Sequence, residues 1–446
     1  MGLLSEGVAW EEVERQATDL LSRYIRFDTT NPPGNEAEAA QFLAQTLSDE
    51  GIDSHLYEPA PGRANLVARL SAASPVAPPL LLIHHMDVVP ADVATWTRPP
   101  FHGLVREGHI WGRGALDDKG LGVIHLMALV LLKRLDVKLT RDIVFMAVSD
   151  EEEGGAFGAQ WMIEKHWPDI ECEYVWDEGG TGSVGMMGRR PIFAVSVWEK
   201  RSMLLKLTAR GLGGHGSIAG NTPLDRLVRA LHAVQGYSTD MRFNGVTREF
   251  FERISRDQGF IAGWLMRHAE TPVVKGYMAR QIKNISSIHA MLRDTITATV
   301  LSTGDKANVV DEQVEATLDV RLLPDTDRDA FLDSIRRAIN DDAIELEATG
   351  SPKSGPPSPV DSELFRALSQ AIYANEPAAL VTPMQTPYAT DSRFFRERGV
   401  AAYGLLPVVL TGEELASIHG VDERMSVKSL TSGIKIALDA VGMLCS

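Results

Sequence analysis

Histidine and acidic residues follow three apolar segments of this chain of 446 residues. The segment 80–83 (LLLI) leads into HHMD, the segment 142–149 (DIVFMAVS) leads into DEEEGG, and 174–176 (YVW) leads into DEGG. Each segment is typical of a buried strand of a parallel sheet, and the carboxyl ends of such strands meet at one edge, where active sites of open α/β sheets lie. Imidazole and carboxylate are good zinc ligands, so this edge is predicted to carry a metal site.

Two more groups could complete such a site. The pair Asp117-Asp118 stands between a glycine-rich turn and a long apolar helix, and His419 lies in a loop near the end of the chain. Two metals about 3.5 Å apart need a shared carboxylate. The candidates supply one imidazole and one terminal carboxylate for each metal, a shared aspartate, and one carboxylate left over as a general base. The full candidate set is His85, Asp117, Glu151, Glu152, Asp177, Glu178 and His419.

The elements that would position these residues alternate between strands and helices. This order predicts an α/β fold with a mainly parallel sheet and flanking helices. After residue 200 the pattern changes to that of a small α+β layer. We therefore expect a catalytic domain formed by residues 1–197 and 351–446, interrupted by an inserted lid or dimerisation domain at 198–350. The composition of 351–359 predicts a linker, and the aromatic-rich stretch 237–291 could not be assigned to elements.

Composition excludes several classes of function. The formal net charge of −16 disfavours nucleic acid as a partner and gives no indication of attraction to anionic membranes. We see no apolar run long enough to span a bilayer and no secretory signal. The two cysteines, Cys172 and Cys445, imply no disulfide framework and favour a cytoplasmic location.

The motifs HHMDVVP, GRGALDDKG, SDEEEGG, WDEGG and SIHGVDE, in this order, resemble the co-catalytic zinc exopeptidase and deacylase family. That family includes aminoacylase, carboxypeptidase G, carboxypeptidase S and succinyl-diaminopimelate desuccinylase. The resemblance implies two Zn²⁺ ions, with Co²⁺ or Mn²⁺ as possible substitutes, and a cis peptide after Asp117. The ligands it implies are His85, Asp117 as the bridge, Glu152, Glu178 (with Asp177 as the alternative) and His419. It also implies that Glu151 is the general base and that Asp87 orients His85.

The resemblance extends to the inserted layer. The sequence GGHGS matches a family motif whose histidine acts across a dimer, so His215 is expected to stabilise the transition state in the partner's site. Asn308 and Thr390 match substrate-contacting positions, and Arg321 matches an arginine that holds a free carboxylate. These matches predict a homodimer formed through the lid.

The predicted activity is hydrolysis of an amide bond next to an amino acid with a free carboxylate, with an N-acyl amino acid as the preferred substrate. The aromatic residues of 243–264 could line an apolar acyl pocket, and core packing of an enlarged lid is the alternative for them. A dipeptidase or carboxypeptidase with the same chemistry, acting on short peptides, is the first alternative function. A non-catalytic metal-binding scaffold is the second.

Overall fold

The computed structural model describes residues 4–185, 188, 190–217, 220–282, 285–350 and 355–446. Residues 351–354 of the predicted linker lie outside the described residues. Short 3₁₀ turns occur at Leu4–Gly7 and Glu151–Glu153.

The elements fall into three consecutive groups along the chain. The first contains α1 (Trp10–Ile25), α2 (Ala37–Asp49), β1 (Ser54–Ala60), β2 (Arg63–Leu70), β3 (Leu80–His85), β4 (Leu104–Arg106), β5 (His109–Trp111), α3 (Lys119–Arg134), β6 (Ile143–Val148), α4 (Ala159–Lys165), α5 (Trp167–Ile170), β7 (Tyr174–Ser183) and β8 (Ile192–Glu199). The second contains β9 (Arg201–Arg210), β10 (Gly214–His215), α6 (Pro223–Gly236), α7 (Gly245–Ser255), α8 (Phe260–Arg267), α9 (Pro272–Gln281), α10 (Ser286–Met291), β11 (Thr295–Ser302), β12 (Val309–Val310), β13 (Gln313–Leu322), α11 (Arg328–Ile339) and β14 (Ile344–Gly350). The third contains α12 (Glu363–Asn375), β15 (Leu380–Thr386), α13 (Ser392–Glu397), β16 (Ala401–Leu410), α14 (Gly412–Ser417), β17 (Arg424–Ser426) and α15 (Val427–Cys445).

An eight-stranded sheet of the first and third groups carries the predicted motifs. Its order is β1-β2-β6-β3-β7-β16-β8-β15, and the central strands β6, β3, β7 and β16 run parallel to one another. Strands β3 and β6 are buried along their whole length, because helices such as α3 and α15 cover the sheet. Parallel sheets covered on both faces have such continuous apolar strands. The predicted α/β fold class is confirmed.

The second group forms a separate four-stranded antiparallel sheet of order β11-β13-β9-β14. Its core lies between this sheet and the helices α6 and α11, with Leu205, Leu318 and Ile335 fully buried. Alternate residues of β13 are buried, as expected for a sheet with one face covered. We call this sheet, with α6 and α11, the lid.

The stretch that the sequence left unassigned folds into the four helices α7 to α10, which we call the helical insert. Phe250 and Phe251 are buried at its centre and pack with Ile192 and Met384 of the large sheet. Asn244 starts α7 with a capping box, accepting a hydrogen bond from the backbone N–H of Thr247. The insert therefore has its own apolar core, fixed against strands β8 and β15.

None of the helices in the described part of the chain combines the length and the apolar composition needed to cross a membrane.

Candidate metal and active site

A cavity of about 1280 Å³ lies where the large sheet, the lid and the helical insert meet. Its floor contains acidic side chains and His419. Glu151 and Glu152 follow β6, at the carboxyl edge of the sheet, whereas Glu178 lies within β7, which continues beyond the predicted strand 174–176. Its other walls come from the lid and the insert. The polar residues that line it include Asp117, Asp118, Glu151, Glu152, Glu178, Lys200, Arg201, Arg321, Arg393 and His419.

Asp117 lies between two histidines. Its Oδ1 is 3.0 Å from Nε2 of His85, and its Oδ2 is 3.1 Å from Nε2 of His419. Nε2 of His419 is also 3.2 Å from Oε1 of Glu152. One carboxylate with an imidazole facing each oxygen is the arrangement expected of a bridging ligand between two metal ions.

Four of the predicted ligands and the predicted base, Glu151, fall into two overlapping groups. Ligand atoms of His85, Asp117 and Glu152 lie within 4.8 Å of one another, and so do those of His85, Glu151 and Glu178. The alternative ligand, Asp177, is engaged elsewhere, because its Oδ2 accepts hydrogen bonds of 2.8 Å from the backbone N–H and the hydroxyl of Ser392. The geometry thus brings Glu178, rather than Asp177, to the candidate metal-binding group.

The Asp87 carboxylate fixes the backbone that presents the acidic run. It accepts hydrogen bonds from the N–H groups of Glu151 and Glu152, each at 3.1 Å, and from the Asn31 amide at 2.8 Å. His85 is held mainly by the main-chain oxygen of Asp87, 2.9 Å from its Nδ1, while the carboxylate oxygen lies at 3.5 Å. Asp87 therefore positions both His85 and the Glu151-Glu152 turn.

Glu423, four residues after His419, contacts the loop that carries Asp117. It is fully buried and binds the loop that carries Asp117, accepting from Arg113 Nη1 and Leu116 N at 2.8 Å and from the N–H groups of Gly114 and Asp117 at 3.2 Å. Burial raises the pKa of this carboxyl, although Arg113 and the N–H donors oppose the rise.

The backbone is unusual at three points of the site. The Asp117–Asp118 peptide is cis, as the family resemblance implied. Asp150, directly before the acidic run, has a φ of 71°, and His419 has a φ of 57°. Non-glycine residues in this left-handed region are uncommon and concentrate at functional sites, where the surrounding structure holds them in place.

The charges of the site fit bound cations. Burial raises the pKa of the carboxyls of Glu151, Glu152 and Glu178, and among the described residues none of the three forms an ion pair with lysine or arginine. The contacts to Asp117 and Glu152 raise the pKa of His419 to about 10, because two carboxylates stabilise the charged imidazole. Divalent cations held by His85, Asp117, Glu152, Glu178 and His419 would compensate this excess negative charge.

Of the predicted substrate-binding residues, Arg321 lines the cavity from β13 and donates its Nε–H to Asp319 at 2.9 Å. Thr390 does not present its hydroxyl to the cavity. It is buried, and its hydroxyl donates to Glu199 Oε2 at 3.1 Å. The adjacent Ala389 and Tyr388 line the cavity instead.

His215 and Asn308 lie side by side on the lid, since β10 pairs with β12 and Gly216 N donates to Asn308 O at 2.9 Å. Both side chains are exposed, and neither is among the described residues that line the cavity of this chain. Nδ1 of His215 is 2.8 Å from the Ser217 hydroxyl.

The aromatic residues suggested for an acyl pocket do not line the cavity. Phe250 and Phe251 belong to the core of the helical insert, the alternative that the sequence left open, and Phe260 and Trp264 are exposed on its surface. The apolar wall is built from other residues, chiefly Met203, Leu204, Ile288, Met291, Met384, Leu415 and Ile418.

Sequence reasoning missed the supporting groups. Asn31 bridges Asp87 and Asp150, at 2.8 and 3.1 Å, and Arg63 joins Asp150 to the buried Glu36. Asn31 stands in a proline-rich loop with no metal-binding pattern, so only the tertiary contacts reveal its place.

Comparison with known proteins identifies the family of the chain. Residues 81–442 match the model of peptidase family M20/M25/M40. The chain is 32% identical over 358 residues to the N-fatty-acyl-amino acid synthase/hydrolase PM20D1 of Xenopus tropicalis, covering 79% of this chain and 70% of that protein. It is 24% identical over 441 residues to aminoacylase-1 of Sus scrofa, covering 98% and 97%. In fold it is similar to the M20 family metallo-carboxypeptidase Sso-CP2 from Sulfolobus solfataricus, with a TM-score of 0.74, 18% identity and coverage of 95% and 98%. The chain therefore belongs to peptidase family M20/M25/M40, and it is a hydrolase of that family with a potential metal-binding cluster.

Proposed function

We propose that this enzyme is a two-metal amidohydrolase that releases an amino acid from an N-acyl amino acid. The observation that carries the proposal is Asp117, whose two carboxylate oxygens face His85 and His419 on the floor of a cavity that Arg321 also lines. The proposed metal is zinc, which these nitrogen and oxygen donors suit. When bound, the metal ions would lower the pKa of a water molecule and polarise the scissile carbonyl.

Glu151 is the proposed general base. It takes a proton from the attacking water and returns it to the nitrogen of the leaving amino acid, so that no net proton is consumed at the residue. Burial, which raises the pKa of Glu151, brings it closer to the range needed for both steps. Its backbone is held by Asp87, which limits the movement of the carboxylate relative to the ligands.

Arg321 is the proposed binding group for the free carboxylate of the amino acid. Its Nε–H is engaged with Asp319, and the described residues provide no hydrogen-bond acceptor for its terminal Nη groups. A planar guanidinium can bind a carboxylate through two parallel hydrogen bonds. The apolar wall formed by residues such as Met384, Leu415 and Ile418 favours an acyl group over a second amino acid, and it supports the N-acyl substrate over a dipeptide.

His215 and Asn308 enter the proposal through a homodimer. Since both are exposed on the lid away from this chain's cavity, we place them in the site of a partner subunit, where His215 would stabilise the oxyanion. The lid has exposed apolar side chains away from the cavity that such a dimer could cover, namely Val228, Val300 and Leu301. Strand β11, which carries two of them, is an edge strand of its sheet in the part of the chain that the structure describes. The cytoplasmic location expected from the cysteine content stays a prediction.

The test compares Glu151→Gln with Glu153→Gln, a neighbour in the same turn that is exposed. We expect the first variant to lose about 10²–10⁴-fold in turnover with unchanged metal content, and the second to keep its activity. Substrates are N-acyl amino acids of increasing chain length, the matching amino acid amides, and dipeptides. Preference for dipeptides would favour the peptidase alternative. Activity that survives Glu151→Gln would show that the base is wrongly assigned.

A further inference from the structure

The helical insert exposes a cluster of large apolar side chains. Helix α8 presents Phe260, Ile261 and Trp264 on one face, with Phe260 86% and Ile261 74% exposed. Helix α9 presents Val273, 86% exposed, and Tyr277 four residues later. Contiguous exposed apolar patches on soluble proteins mark sites of interaction with proteins or membranes. These five residues, which we call the insert patch, have no part in the cavity or in the catalytic scheme.

The patch faces away from the core of the insert. Val274 and Met278 on the other side of α9 are buried in that core, together with Ala269 of the connecting turn. Only four residues separate the end of α8 from the start of α9, and Nδ1 of His268 lies 2.8 Å from Trp264 O within this turn. The two helices therefore follow each other after a short turn, and each exposes apolar side chains.

The charge around the patch is opposite to that of the whole chain. Residues 259–282 contain three basic side chains, Arg267, Lys275 and Arg280, and one acidic one, Glu270, in a chain of net charge −16. Glu270 is paired with Arg248 at 2.9 Å. Arg267 and Arg280 are exposed. A face with tryptophan, phenylalanine and aliphatic side chains and a basic rim is typical of helices that lie in the interface of an anionic membrane.

We propose that the insert patch docks the enzyme on an anionic lipid surface, with α8 and α9 lying in the headgroup layer. The basic rim favours lipid over a second copy of the chain, because a symmetric contact through this patch would bring Arg267, Lys275 and Arg280 close to their own counterparts. The location also suits the chemistry, since α10 of the same insert contributes Ile288 to the cavity wall. Docking itself does not depend on the substrate proposed above.

This inference revises the expectation that the chain has no membrane partner. The expectation rested on the net charge and on the lack of a spanning segment, and neither describes the local charge of two consecutive helices. Within the described residues no helix could cross a bilayer, so the interaction proposed is one of lying on the surface.

The test is co-flotation of the full-length enzyme with vesicles of phosphatidylcholine alone or mixed with about one third phosphatidylglycerol. We expect binding to the anionic vesicles and a loss of at least about tenfold in the partition coefficient for the triple variant Phe260→Ser, Ile261→Ser, Trp264→Ser. Lys275→Glu and Arg280→Glu should each weaken binding to anionic vesicles by about fivefold, with a smaller effect at high salt. Val76→Ser, which removes an exposed valine in a distant loop, is the matched control and should bind as the wild type does.

Three further measurements keep the result unambiguous. Hydrolysis of a short, water-soluble N-acyl amino acid should be the same in the triple variant and the wild type if the fold is intact, and circular dichroism checks the fold without reference to activity. The mass in solution should also be unchanged. Failure of the wild type to bind anionic vesicles would overturn the proposal, and so would equal binding by the triple variant. A variant that instead changes the oligomeric state would identify a second copy as the occupant.

Discussion

Replacing Glu423 by glutamine should loosen the loop that carries Asp117, although Glu423 is not one of the proposed ligands. Its carboxylate accepts hydrogen bonds from Arg113 and from three backbone N–H groups of residues 114–117. The side chain of Arg113 is only 3% exposed, so the substitution leaves a buried guanidinium without its counter-charge. Removing one partner of a buried ion pair costs about 3–5 kcal/mol. The glutamine side chain also has only one oxygen acceptor, so its NH₂ group would face backbone N–H donors that the Glu423 carboxylate accepts from.

Glu345→Gln provides the matched control, because it also removes the charge from a Glu–Arg pair. Glu345 is 3.2 Å from Arg210, but the two side chains are 63% and 56% exposed. Exposed pairs of this kind contribute about 0.2–1 kcal/mol. The structure thus predicts that Glu423→Gln lowers the free energy of unfolding by several times more than Glu345→Gln. Urea unfolding of the metal-free proteins, followed by circular dichroism, measures this difference without a contribution from bound metal.

Metal affinity is the second measurement on the same pair of variants. Because Glu423 fixes the backbone of Asp117, we expect Glu423→Gln to weaken metal binding by about 10–100-fold, as loss of groups that orient ligands does. Competition with a chelating dye gives the affinities. If the metal-free Glu423→Gln protein unfolds within about 1 kcal/mol of the wild type, the cost assigned to the buried pair is wrong. Wild-type metal affinity in that variant would refute the positioning role.

Three other predictions follow from the site. Removal of metal with a chelator should abolish activity and lower the thermal stability, and Zn²⁺, Co²⁺ or Mn²⁺ should restore both, whereas full activity of metal-free enzyme would contradict the proposed chemistry. If His215 acts in the partner's site, mixing inactive Glu151→Ala subunits with inactive His215→Ala subunits should recover activity, because one of the two sites of each mixed dimer then has both Glu151 and His215. Mixtures that stay inactive after confirmed subunit exchange would exclude this role of His215. Burial lowers the pKa of Lys200 from its ordinary value of 10.5 to about 7, so between these two pH values the unfolded chain binds more protons at Lys200 than the folded chain, and the destabilising effect of Lys200 fades as the pH rises. Lys200→Met should therefore stabilise the protein by a few kcal/mol at pH 7 and by much less near pH 10.5. An equal gain in the free energy of unfolding in urea at both pH values would argue against this assignment.

The sequence by itself was sufficient for the fold class and for the set of acidic and histidine residues at the sheet edge. The reason is local, since a fully apolar strand such as 80–83 specifies burial on both faces, and the chain direction then determines at which end its polar residues emerge. His85 ends β3 and Glu152 lies in the turn after β6, so these two could be collected in this way, whereas β7 continues past the apolar segment 174–176 and Glu178 lies within it. The helices of the helical insert could not be predicted from the sequence, because they are short. Their apolar residues pack in a local core and do not form a long periodic face.

The tertiary structure decided what depends on contacts between distant segments. It showed that Asp177 is engaged with Ser392, which leaves Glu178 as the candidate ligand, and that Thr390 is bound to Glu199 rather than presented to the cavity. The roles of Asn31 and Glu423 are visible only in the tertiary structure, because the side chains and backbone N–H groups that they bind are remote in sequence. The surface charge of α8 and α9 is likewise hidden in the net charge, because composition averages over faces that only the fold separates.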